Sequence, residues 1–205
     1  VTVTLGSNLF GPGGTVTVNG SLAGASLYQL GIHSGVTSPS NQLVIGASGS
    51  VGTAGSPLTN MQFNGSSGSS PYVFNVPSDT YYLTGNLTCR STSSLIISCS
   101  LQGDVVLSGG GRIRTDAEGT PTWNTNNFNF TAGGVSLDVN GALVTGTGTV
   151  TINGNVTVGA ASAYITSAAA GSWTVSGAWT NSSTSASWSF AAPITFTSAT
   201  GGTMT

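Results

Sequence analysis

The side chains able to do chemistry are few. In 205 residues there is one histidine, His33; two cysteines, Cys89 and Cys99; five acids; three arginines; and no lysine. A nucleophile–His–Asp relay needs an imidazole between its partners, so it could run only through His33. No Gly-x-Ser-x-Gly elbow or nucleotide-binding glycine loop accompanies that histidine, and it reads as a loop or surface residue. Asp116 and Glu118 stand two apart in RIRTDAEGT. On a strand they would share a face, as a pair of glycosidase carboxylates must. Beside Arg112 and Arg114 they read instead as surface ion pairs on a hairpin. Asp104 and Asp138 have no partner in sequence, and no calcium-loop spacing occurs. One histidine and two cysteines fall short of the four ligands of a structural zinc site. The expectation is a chain that is not an enzyme and needs neither metal nor cofactor.

The cysteines lie in LTCRSTSSLIISCS, either side of a polar turn at 91–94. With Ser93-Ser94-Leu95 as the loop, Cys89 faces Cys99 and Leu87 faces Leu101. That predicts a cross-strand disulfide closing a short hairpin, contributing about 2–3 kcal/mol and implying an oxidising compartment. Six Asn-x-Ser/Thr sequons, at Asn19, Asn64, Asn86, Asn129, Asn155 and Asn181, are candidate N-glycan sites. Asn19, Asn64 and Asn181 sit at turn-like positions. Sugars there would hydrate a surface that has little charge to do so.

The elements that must hold these residues are strands. Gly, Ser, Thr and Asn make up 107 residues, and charged side chains are 4%, against roughly 25% in ordinary domains. Apolar residues still reach 38% and alternate with Ser, Thr and Asn, the pattern of half-buried strands. Three arginines cannot track a phosphate backbone or an anionic membrane. No apolar run approaches the about 18 residues of a spanning helix. The chain starts without Met, which reads as a secreted chain whose signal peptide has been removed. With so few carboxylates to protonate, its charge changes little in acid, which suits an acidic extracellular medium.

All eight charged residues fall between Asp79 and Asp138. The unit apolar-x-Gly-x-apolar recurs around Gly20, Gly85, Gly103, Gly141, Gly154 and Gly177, with glycines 65, 18, 38, 13 and 23 residues apart. A solenoid would repeat such a unit at a near-fixed period, whereas Asn-Gly between apolar runs also fits hairpin turns. The expected fold is therefore all-β: a β-sandwich, jelly-roll or Ig-like, of one domain or two packed β subdomains, with an extended N-terminal strand. An irregular parallel β-solenoid is the alternative.

The chain opens VTVTLGSNLFGPGG, a strand pattern followed by a loose joint. With the Ser/Thr/Gly-rich β body and the sequons, this layout resembles the thread and pilus-like filaments of thermoacidophilic archaea, and more distantly chaperone–usher pilins. The resemblance implies an N-terminal donor strand and Gly/Pro hinge at 1–14, the donor running from Val1 to about Phe10, and a β-sandwich body at 15–205. Val1, Val3, Leu5 and Leu9 would fill a groove in the neighbouring subunit, and Gly11, Pro12, Gly13 and Gly14 would be the hinge. It implies an extracellular, cell-surface homopolymer of identical subunits joined head to tail and carrying N-linked glycans, serving adhesion, aggregation or biofilm formation. Two other readings stand beside it: a secreted solenoid or sandwich adhesin or surface-layer binding module, and a secreted polysaccharide-acting enzyme.

Overall fold

The computed structural model describes residues 15–19, 21–22, 27–32, 40–45, 47, 49–65, 72–91 and 96–198. The donor segment, the Gly11–Gly14 hinge and His33 lie outside the described residues. Among those described there are strands and no helix.

The strands stack as a three-sided parallel β-solenoid. Strands pair in parallel with those one coil before or after them, never with the neighbour in sequence. The first face holds eight strands: Thr15–Val18, Ser40–Ile45, Tyr72–Val76, Ile96–Leu101, Thr120–Asn124, Ala142–Thr145, Tyr164–Ser167 and Ser189–Phe190. The second holds Asp79–Tyr82, Val105–Ser108, Phe130–Ala132, Thr149–Ile152, Ser172–Val175 and Ile194–Phe196. The parallel pair Ser21–Leu22 and Ser50–Val51 takes the corresponding place in the first two coils. The third face holds Leu27–Ile32, Asn60–Gly65, Asn86–Ser91, Arg112–Ala117, Gly134–Leu137, Val156–Ala161 and Trp179–Ser183.

The expected sandwich is thereby overturned. A sandwich of this kind is built from antiparallel strands joined by hairpins and Greek-key connections, and here the ladders between named strands are all parallel. The five glycine units among the described residues are corners between faces, not reversals. Gly141 joins the third face to the first, Gly103 the first to the second, and Gly85, Gly154 and Gly177 the second to the third. Their spacing mixes three kinds of corner, which is why it shows no period.

Alternation does the rest. Along each strand every second side chain points inward, so Val150 and Ile152, Trp173 and Val175, and Leu87 and Cys89 are all buried. Each full burial of this kind stabilises by about 1.5–3 kcal/mol. Aromatic rings stack up the interior. Phe63 lies 5.3 Å from Phe74 and 6.2 Å, edge-on, from Trp123. Trp173, Trp179, Trp188 and Phe190 cluster in the last coils.

Cys89 and Cys99 are bonded, with Cα atoms 6.0 Å apart, but not across a hairpin. Cys89 is on the third face and Cys99 on the first; both point into the core and are fully buried. Their strands share no ladder. The bond therefore ties two faces together through the interior.

Tyr81, also fully buried, donates its hydroxyl to the carbonyl of Pro77 at 3.0 Å. Burial first, and the charge of Asp79 second, push its ionisation well above the ordinary tyrosine range. The fold holds the neutral form, so the stability this contributes is complete below about pH 10, the unfolded value, and is lost as pH rises beyond it. Tyr81→Phe is expected to spare the protein about 1.4 kcal/mol of alkaline destabilisation per pH unit above that point. Denaturant melts from pH 9 to 11 read this directly; parallel slopes for the two proteins would refute it.

Candidate functional site

The outward side chains form columns, because parallel strands in register place equivalent residues over one another about 4.8 Å apart. On the second face, register aligns Thr80, Val106, Thr131, Thr151, Thr174 and Thr195. Beside this column runs a second polar row. Asp104 accepts the backbone N–H of Asn129 at 2.8 Å and its side-chain amide at 3.0 Å. Asn129 in turn accepts the N–H of Thr149 at 2.9 Å, and Ser172 reaches the Thr149 hydroxyl at 3.3 Å. The second face is thus a flat, nearly uncharged array of hydroxyls, methyls and amides.

The corner between the second and third faces is shaped by glycine. Gly110, Gly133, Gly154 and Gly177 succeed one another up the stack. A Cβ on Gly133 would sit 2.4 Å from the Gly110 carbonyl oxygen, and one on Gly154 2.2 Å from that of Gly133. Gly109 and Gly110 both have positive φ, 78° and 83°, a conformation costly for other residues. Without side chains the corner is hollowed into an open groove of about 500 Å³, lined among others by Ser108, Arg112, Thr131, Asn153 and Asn155. A second hollow of about 340 Å³ on the third face shares Arg112 and adds Asn86, Arg114 and Asp138.

Most of the charge lies on or beside the third face. The one ion pair among the described residues is Arg90–Asp116 at 3.6 Å, between strands in register. This corrects the expectation that Asp116 and Glu118 pair with Arg112 and Arg114 on a hairpin. Arg112 and Arg114 are on the same strand as Asp116, and Glu118 is exposed beyond its end. Among the described residues no group of three His, Cys, Asp or Glu side chains is placed to hold a metal.

The sequons are placed unequally. Asn19, Asn155 and Asn181 are exposed, and Asn86 is half-buried. Asn129 is exposed, but both ends of its amide are engaged in the row just described. Asn64 is 9% exposed, and its side-chain oxygen has no hydrogen-bond partner.

Sequence reading missed the threonine column and the glycine groove. The signal for the column was present as apolar-Thr-apolar triplets centred on Thr131, Thr151, Thr174 and Thr195, spaced 20, 23 and 21 residues apart.

No family model, curated protein or solved structure matches the chain. Its class is accordingly the one its own geometry defines, an all-β parallel solenoid tied by one buried disulfide. No helix among the described residues is long and apolar enough to cross a membrane.

Proposed function

We propose that this chain is a secreted β-solenoid module that works by surface contact, as an adhesin or a surface-layer binding module, and not by catalysis. The observation that carries this reading is the threonine column of the second face. A flat array repeating every coil meets a repetitive polymer in register, and many weak contacts then add. The buried disulfide supports an oxidising, extracellular setting. Of the exposed sequons, Asn155 lines the corner groove and Asn129 has both ends of its amide engaged, so Asn19 and Asn181 are the proposed carriers of N-linked glycans.

Beads coated with the full chain are expected to adhere to cell envelopes or polysaccharide films. A Thr151→Val, Thr174→Val variant keeps side-chain shape and strand propensity while removing two hydroxyls. It should adhere about fivefold less, or weaker still. Wild-type beads that do not adhere would refute the module. A variant that adheres like wild type would remove the column from the contact surface.

A second reading, the filament subunit that donates Val1, Val3, Leu5 and Leu9 to an identical neighbour, is favoured by a separate observation. Among the described residues, Trp179–Ser183, Ser189–Phe190 and Ile194–Phe196 are paired on one side only. Trp188, Phe190, Ile194 and Phe196 are only partly buried beneath that edge. An open edge over apolar side chains is what an added strand completes. Electron microscopy of the purified chain separates the readings: filaments support this one, and monodisperse particles that still adhere support the first.

A further inference from the structure

We propose that the hollow corner between the second and third faces binds a uronic-acid-containing saccharide, gripped by Arg112 and Arg114. The proposal rests on the reading of the chain as a surface-binding module and names what one of its surfaces recognises.

The chain has three cationic side chains besides its histidine. Arg90 is paired with Asp116. Arg112 and Arg114 form no ion pair among the described residues. They stand at i and i+2 on one strand, so they project from the same face about 7 Å apart. Arg112 is exposed, and its Cγ and Cδ lie 3.3 and 3.4 Å from where a Cβ on Gly134 would be, so the stem crosses the bare backbone of the next coil. Arg112 lines both hollows. Asp138 lines the smaller hollow, but its carboxylate accepts the N–H of Val139 at 2.8 Å. Two guanidinium groups against one carboxylate make this corner locally positive on a molecule of net charge −2.

The remaining lining selects the kind of anion. Beyond the arginines, the groove offers Asn153, Asn155, hydroxyls and glycine backbone, which are partners for a ligand rich in hydroxyls. Asn155 uses its side-chain oxygen on the N–H of Ala178 at 2.9 Å, which leaves its amide hydrogens to donate. Guanidinium groups bind carboxylates in a bidentate, charge-assisted way. Two cations are too few for a continuous phosphate chain, but they match carboxylates carried on an otherwise neutral, hydroxylated polymer.

The test uses the full chain with its disulfide formed, made in a host without N-glycosylation, since a glycan on Asn155 would fill the groove. Hexagalacturonate, its neutral methyl ester and sodium sulfate are titrated by calorimetry. Hexagalacturonate is expected to bind saturably, and the ester about tenfold more weakly or worse. Arg112→Gln and Arg114→Gln should each weaken binding by about tenfold or more at unchanged melting temperature, while Arg90→Gln leaves it alone. The proposal is overturned if hexagalacturonate does not saturate, if the ester binds as well, if the Arg112 and Arg114 variants bind like wild type, or if equimolar sulfate displaces the oligomer. Bead adhesion is measured alongside. Beads that adhere without hexagalacturonate binding leave the module reading standing and remove this site; failure of both removes both.

Discussion

Gly133→Val is expected to destabilise the solenoid by on the order of 3 kcal/mol or more. The first atom of the new side chain would lie 2.4, 2.5 and 2.8 Å from the oxygen, carbonyl carbon and Cα of Gly110. All three are backbone atoms, so no side chain can rotate away, and the corner must open. Opening it strains the Gly133 N–H to Gly111 carbonyl bond of 2.7 Å. It also disturbs Gly154, whose own close approach is to the Gly133 carbonyl. Gly55→Ala is the matched control, because nothing lies within 4 Å of its Cβ position; it should be neutral within about 0.5 kcal/mol. Denaturant midpoints compare the two, and equal midpoints would mean that the corner yields freely.

Trp123→Ala is expected to cost about 3–5 kcal/mol and to change how the protein unfolds. The indole is fully buried and donates to the Arg114 carbonyl at 2.8 Å. It touches Phe63 edge-on and lies in register beside the disulfide-bonded Cys99. Truncation leaves a cavity and removes the indole hydrogen bond at mid-stack. In a stacked array each coil is stabilised mainly by its neighbours, so a defect there separates the array into two blocks. Hydrogen exchange should show the coils before residue 91 and those after residue 130 opening independently in the variant. One shared opening free energy for both blocks, at near wild-type level, would refute the argument.

The strands were legible in the sequence because alternation reports which side chains turn inward, whatever the partner strand. The fold was not. Asn140-Gly141 between apolar runs has the same local spelling as a hairpin turn, yet here it bends the chain from one face to the next. Only long-range pairing distinguishes the two. The period was obscured because registered coils on the first face differ in length, from 20 residues between Thr122 and Ala142 to 33 between Ser40 and Val73. The Cys89–Cys99 bond was predicted correctly from a wrong hairpin, since consecutive strands on adjoining faces also bring inward side chains ten apart within reach. The groove was invisible for another reason. It consists of missing side chains, and its two arginines belong together only once Gly134 is known to lie beneath one of them.

The direction of the hydrogen bonds sets how the solenoid responds to a pull. Strands run around the solenoid, so the bonds between coils point along its axis. Tension applied end to end loads one coil at a time instead of shearing many bonds together. A coil such as Thr166 to Ser189 occupies about 4.8 Å of the axis but extends to roughly 75 Å when peeled off. The molecule is therefore built to lengthen in steps under modest force. The Cys89–Cys99 bond, enclosing a separation of ten residues, withholds that stretch of chain and marks the coil at which the unwinding is checked.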